Sequence, residues 1–250
     1  MGFNRSRLIV ALCISFTFMT MPAKAQQLRV GTYEWPPYAT GMENNRIGIV
    51  FDLYAALAIK TGLIFQLNFL PLKRLLLGFE EKTLDAECLV DASWRESYAN
   101  SSVYSIPVLE TANIILMKKA QAIKAGSVND FTGMKIGCNL GYFYTDGFQE
   151  AFDSRSIRRE DTISADSLVL MLHSRRLDGI ILDQYEARYT LRKLGLDPSD
   201  FTVAYTFLTK SNLSIRLHTD KKELLPRLNE GIREIRADGT VNKILQAYID

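Results

Sequence analysis

The chain is poor in the residues on which most catalytic and metal chemistry depends. Its 250 residues include two histidines, three cysteines and two tryptophans. His173 and His218 lie far apart and share no ligand spacing with other donors, which argues against a zinc site. No nucleophile elbow, phosphate loop or paired metal ligands can be found, and no cofactor is expected. With 30 Lys and Arg against 28 Asp and Glu and no basic block, nucleic acid and anionic membrane lack an electrostatic footprint. No low-complexity linker and no repeat of fixed period occurs. The longest apolar run, from Leu8 to Met21, is clearly shorter than the roughly 20 residues needed to cross a bilayer.

That run belongs instead to an export signal over residues 1–25. Arg5 and Arg7 give the positive start, and Ala23-Lys24-Ala25 is a small-x-small cleavage site. The exported chain is expected to begin near Gln26, with no direct membrane anchor, and to be periplasmic if the source is a Gram-negative bacterium. Lipid attachment at Cys13 would need a small residue before it, and Leu12 stands there. Losing Arg5, Arg7 and Lys24 takes the 30 basic residues to 27 against 28 acidic ones, so the exported chain is close to neutral. Cys88 and Cys138 remain, and two cysteines in an exported chain can form a disulfide. Each sits in a short apolar run of a different unit, so free buried thiols are expected.

Strand-like runs alternate with amphipathic helical runs, the pattern of an α/β protein with a mostly parallel sheet. LRVGT at 28–32 reads as the first strand. Between Gly48 and Gly62, Val50, Leu53, Tyr54, Leu57 and Ala58 share one helical face. IFQLNFL is a strand, Pro71 opens a helix, and DAECLVDA is a buried strand. The apolar strand 112–117 carries the chain into a second unit. There MKIGCNL at 134–140 is a strand, a helical stretch follows Gly141, 165–177 is a helix and 178–183 a strand. FTVAYTFL and the returning strand SNLSIRL come next, and two helices close the chain.

The motifs GTYEWPPYA followed by GIVFDLYAALAIKTG, LDAECLVDASWRESYANSSVYSIPV, FTGMKIGCNLGYFY, RRLDGIILD and ELLPRLNEGIREIRADGTVNKILQAYI occur in this order. In order and spacing they resemble the extracytoplasmic solute-binding proteins of family 3, the amino-acid type that serves ABC importers. The resemblance covers Leu28 to Ile249, and FLPLKRLLLGFE resembles a divergent branch. It implies a type II periplasmic-binding-protein-like fold, with two α/β lobes joined by two crossing hinge strands and a ligand cleft between them. Lobe 1 would comprise 26–112 plus 212–250, and lobe 2 113–211. Hinge closure over the ligand is then expected, consistent with open α/β sheets binding ligands beyond the carboxyl ends of their strands.

Candidate ligand residues follow. Arg95 comes after a lobe 1 strand, where a planar guanidinium can grip a carboxylate, and it matches the family arginine that holds an α-carboxylate. Its alternative is an exposed arginine paired with Asp91 or Glu96. Asp183 ends a lobe 2 strand and matches the ammonium-binding aspartate; equally, it can cap a helix over 184–194. Tyr33, Trp35 and Tyr38 flank the first turn, and Trp35 is the best stacking candidate. Trp94 forms a pocket wall or packs into the core. Ser93 offers a hydroxyl beside the arginine, Arg74 starts a helix that can line the cleft, and Gly141-Tyr142-Phe143-Tyr144 can open a helix whose N–H groups face it.

The expected function is capture of a small polar solute, an amino acid or related carboxylate, and its delivery to an inner-membrane ABC permease by a monomeric protein without catalytic activity. Two alternatives share the fold: a cyclohexadienyl-dehydratase-like enzyme, which needs a tuned general acid in the cleft, and a freestanding ligand sensor. Glu34 and Glu110 are acids that can in principle lie near the expected cleft, and nothing in the sequence singles out either.

Overall fold

A computed structural model of the chain describes residues 26–41 and 46–249. The export signal and Cys13 lie outside the described residues. In chain order the elements are β1 (Gln27–Thr32), α1 (Ile49–Thr61), β2 (Ile64–Phe69), α2 (Leu72–Glu80), β3 (Ala86–Val90), β4 (Ser102–Tyr104) and β5 (Leu109–Lys118). There follow β6 (Lys135–Asn139), α3 (Phe148–Asp153), β7 (Arg158–Thr162), α4 (Ala165–His173), β8 (Gly179–Asp183), α5 (Gln184–Lys193), β9 (Phe201–His218), α6 (Leu225–Ala237) and α7 (Thr240–Ile249).

Hydrogen bonding runs in the order β2-β1-β3-β9-β5-β8-β6-β7, with β4 also on β9. Strands β1, β2 and β3 pair in parallel at one end, and β6, β7 and β8 at the other. The two halves meet through β5 and β9, which pair antiparallel from Leu109 opposite Leu213 to Lys118 opposite Phe201. Strand β9 continues past β5 to pair with β3 and β4. Two lobes of a type II periplasmic-binding-protein-like fold are therefore joined by two long crossing strands.

Each lobe has its own core. In lobe 1, Leu53 and Leu57 of α1, Val30, Ala86, Ile215 and Leu217 of the sheet, and Leu228 and Ile232 of α6 form one buried cluster. In lobe 2 the strands bury both faces. Ile115, Met117 and Ile181 pack with Phe148 and Phe207, while Ile114, Leu116, Ile180 and Leu182 pack with Leu168 and Leu172 of α4. Alternate residues of one strand thus serve opposite clusters, as a pleated strand covered on both sides requires. Local chemistry sets the ends. Gly62 takes the left-handed conformation at φ 61° and its N–H bonds the Ala58 carbonyl, closing α1; Pro71 precedes α2.

Several expectations are corrected. The helical stretch after Gly141 is a turn, and α3 begins only at Phe148 and spans six residues. The helix at 165–177 ends at His173, where Ser174 caps it and Arg175 turns at φ 59°. FTVAYTFL and SNLSIRL are one 18-residue strand, because β5 pairs with most of it and β3 and β4 take over where β5 ends. The edge strand β7, RREDT, has no apolar residue and gave no hydrophobic signal. Cys88 on β3 and Cys138 on β6 are free and buried.

Candidate functional site

Arg95 is buried, not exposed, and its partner is Glu87 rather than Asp91 or Glu96. The side chain of Glu87 is fully buried, and it accepts from Arg95 Nη2 at 2.6 Å and from Nε at 3.1 and 3.2 Å. The same carboxylate accepts from Nη1 of the fully buried Arg216 at 2.9 Å. Arg216 also donates to Ser102 Oγ at 2.8 Å and lies 3.7 Å from the Phe79 ring centroid. Two guanidiniums thus share one carboxylate, and among the described residues Arg216 Nη2 has no hydrogen-bond partner. Glu87 opposes Arg216 in the β3–β9 pairing, and the next paired residues are Val90 and Ser214. The extra β3 residue makes a bulge, with Leu89 at φ 30°, beside the turn that carries Arg95. Arg95 Nη1 donates to the Trp94 carbonyl at 2.9 Å, which leaves one N–H on each terminal nitrogen without an assigned acceptor.

The aromatic residues gather beside this cluster. Trp35 stacks on Tyr33 at 6.2 Å, packs on Tyr38 at 3.9 Å and meets Trp94 edge-on at 5.8 Å. Ser93 points elsewhere: its hydroxyl and N–H both donate to Asp91 Oδ1, at 2.7 and 2.9 Å. Arg74 is exposed on α2, and none of the described side-chain hydrogen bonds involves it.

Asp183 caps α5, accepting from the N–H groups of Tyr185 and Glu186 at 2.9 and 3.1 Å. It also accepts from the Tyr38 hydroxyl of lobe 1 at 3.0 Å and from the Thr111 hydroxyl of β5. One buried carboxylate therefore ties together the two lobes and a hinge strand. Burial pushes Asp183 up from the ordinary carboxylate range, against the hydrogen bonds that pull it down.

Between the lobes opens a cleft with about 970 Å³ of empty space, part of it open to solvent. Lobe 1 contributes Glu34, Trp35 and Pro36; lobe 2 contributes Asn139, Leu140 and Tyr142, Thr162 to Asp166, and Glu186, Tyr189, Thr190 and Lys193. Of the expected ligand residues, Trp35 and Tyr142 line this space. Tyr33 stacks on Trp35 but, like Arg95, Ser93 and Arg74, is not among the residues lining this space. On the lobe 2 side the apolar side chains of Leu140, Tyr142 and Ile163 are exposed, as is neighbouring Phe143. Glu186 is half-buried there, and desolvation, with Asp183 and Asp166 nearby, pushes it up to about 8. Among the described residues no group of three or more His, Cys, Asp or Glu is placed to hold a metal ion, and no helix is long and apolar enough to cross a membrane.

Glu87, Arg216, Thr111 and Glu186 were not singled out in the sequence. The first two carried a signal, since a lone acid in the strand AECLV and a lone base in SNLSIRL each sit in an apolar strand and demand a partner.

A family model for bacterial extracellular solute-binding proteins, family 3, matches residues 28–250. The arginine-binding extracellular protein ArtP of Bacillus subtilis (strain 168) is 23% identical over 250 residues, covering 96% of this chain and 96% of the relative. Among solved structures, an ancestral cationic amino acid solute binding protein superposes with TM-score 0.73 at 21% identity, over 90% of this chain and 96% of that one. The L-cystine solute receptor of Neisseria gonorrhoeae, in its unliganded open conformation, gives TM-score 0.73 at 16% identity, over 90% and 93%.

Proposed function

This chain belongs to the bacterial extracellular solute-binding proteins, family 3, and from that premise we propose that it captures an amino acid or related carboxylate in the interlobe cleft and delivers it to an ABC permease. The reading takes 26–112 plus 212–250 as lobe 1 and 113–211 as lobe 2, the protein as a periplasmic monomer released by cleavage after Ala25, and binding without chemistry. The observation that carries it is the cleft itself, with Trp35 on one wall and Tyr142 on the other, and with Trp94, the neighbour of Arg95, edge-on against Trp35. In this reading Arg95 receives the solute carboxylate through the N–H groups that Glu87 and Trp94 leave over, and Trp35, Tyr33 and Tyr142 pack on the rest. Closure of the lobes then covers the exposed apolar rim of Leu140, Tyr142, Phe143 and Ile163, and a permease reads the closed shape. Ser93 and Arg74 enter the site only if closure or the solute reorients them.

The test is a thermal-shift screen of protein stripped of carried ligand by unfolding and refolding, against amino acids, amines, organic acids and prephenate. A ligand at 100 times its Kd adds about 2.7 kcal/mol of stability. A shift with one amino-acid class and no turnover supports the receptor; no shift with any solute contradicts it.

One observation favours a second reading. A cleft carboxyl held near 8 is protonated at neutral pH, which is what a general acid needs. Consumption of prephenate or arogenate, lost in Glu186→Gln, would establish the dehydratase-like enzyme in place of the receptor.

A further inference from the structure

The Tyr38 hydroxyl of lobe 1 donates to Asp183 Oδ1 of lobe 2 at 3.0 Å. Among the described hydrogen bonds and ion pairs, every other link between the lobes has an end on the hinge strand β5. Those links are the Thr111 hydroxyl on Asp183, Gln184 on the Thr111 hydroxyl, the Tyr185 hydroxyl on the Glu110 carbonyl, Lys210 on Glu110, and the backbone pairing of β5 with β8 and β9. A strand hydrogen-bonded to both neighbours keeps its contacts while the lobes turn about it. The Tyr38 contact alone spans from the body of one lobe to the body of the other.

Both ends of the contact are held firmly by their own lobe. Tyr38 lies in a turn closed by reciprocal backbone bonds between Trp35 and Ala39 at 2.8 and 2.9 Å, and its carbonyl accepts from Val50 N–H at the start of α1 at 2.8 Å. Asp183 Oδ1 also accepts from the N–H groups of Tyr185 and Glu186, which fixes it at the end of β8. Neither group can follow the other if the lobes rotate, and a side-chain hydrogen bond is lost by about 3.6 Å. Water is kept out as well: Tyr38 is 1% exposed and Asp183 7%. The Tyr185 ring meets Tyr38 edge-on at 6.4 Å and packs against the lobe 1 core. In dry surroundings a hydrogen bond to a carboxylate is strong, and breaking it is unfavourable until water arrives.

We propose that the Tyr38–Asp183 hydrogen bond is an interlobe latch, which holds the solute-free lobes at the separation seen here and breaks as they rotate apart. The inference goes beyond the solute-binding reading and does not depend on which solute is bound. The latch fixes the fraction of solute-free molecules that present the cleft at this width, and apparent affinity scales with the competent fraction. Trp35, which lines the cleft, packs on the Tyr38 ring at 3.9 Å, so the aromatic residue facing a solute rests on the residue that carries the latch. The hydroxyl is the working part. Phenylalanine at position 38 keeps the buried ring and its packing on Trp35 and deletes only the bond.

The experiment is a distance measurement by pulsed electron spin resonance on the exported, ligand-stripped protein. Spin labels go on Lys73→Cys and Glu150→Cys, exposed positions on α2 of lobe 1 and α3 of lobe 2. Cys88 and Cys138 are buried and leave the two introduced thiols to take the label. With Tyr38 in place, one narrow distance distribution is expected. Tyr38→Phe should enlarge a population more than about 2 Å further apart. The ratio of that population to the first should rise by about tenfold or more, as loss of a hydrogen bond to a charged acceptor implies. Tyr185→Phe removes a hydroxyl that reaches only the hinge strand and should leave the distribution unchanged. A Tyr38→Phe distribution that matches the parent, or an equal shift in both tyrosine variants, overturns the latch. If Tyr38→Phe fails to fold, Asp183→Asn decides the matter. It keeps an acceptor oxygen for the α5 cap and loses the charge, so the separated population should again rise, and an unchanged distribution overturns the inference.

Discussion

The Glu87 carboxylate holds the Arg95 guanidinium side-on, with Nη2 to Oε1 at 2.6 Å, in a buried lobe 1 cluster. An arginine fixed in this way has little rotamer freedom left to lose when it meets a ligand, which is the advantage of a preorganised fork. The same contact means that Arg95 has a structural role as well as a proposed binding role, and the two are separable by choice of substitution.

Glu87→Gln leaves Arg95 and Arg216 buried without a counter-charge. Removing one partner of a buried ion pair costs about 3–5 kcal/mol. Urea unfolding should show the midpoint falling with an unchanged slope. A loss below about 1 kcal/mol would show that water, not Glu87, satisfies the two guanidiniums.

Arg95→Lys keeps a positive charge beside Glu87 but lacks the planar fork. The variant should fold, and its affinity for the ligand found in the screen should fall at least tenfold, about 1.4 kcal/mol. Unchanged affinity by calorimetry removes Arg95 from the site.

Asp183→Ala uncaps α5 and strands the Tyr38 and Thr111 hydroxyls, for a combined loss of about 2–4 kcal/mol. Asp183→Asn retains an acceptor oxygen and should lose less than half as much. Equal losses in chemical denaturation would mean that the charge, rather than the acceptor geometry, matters at this position.

The architecture was legible in the sequence because it depends on period and on punctuation. Val50, Leu53 and Leu57 with Gly62 specify α1, and the apolar runs around Val30, Ala86 and Ile180 specify covered strands. Strand β7 was not legible, since RREDT has no apolar face and is held by backbone pairing with β6. The site was legible in part. Trp35 and Tyr142 reach the cleft, but the partner of Arg95 lies eight residues back in a strand, and the second arginine lies on β9. Only the sheet register brings Glu87 opposite Arg216. Asp183 supported two roles in the sequence, and the structure gives its carboxylate to the α5 cap. Ser93 was named from adjacency to Arg95, and its hydroxyl is captured by Asp91 in the local turn.

Stability of the ligand-free protein should fall as pH rises from about 5 to 8. Glu186 titrates about 8 in the folded protein against an ordinary value of 4.5, so between those values the folded state holds a proton that the unfolded chain has released. The destabilisation is complete above 8 and absent below 4.5. Thermal unfolding across this range should show the decline, flattened in Glu186→Gln. A stability profile identical in wild type and variant would place Glu186 in ordinary solvent.

A crystal structure of the protein with the solute identified by the screen tests the central claim most directly. The account predicts density in the interlobe cleft between Trp35 and Tyr142, with the solute carboxylate on Arg95 and the Glu87 contact intact. Solute bound outside the cleft, or inside it with no contact to either lobe 1 residue, would contradict the account.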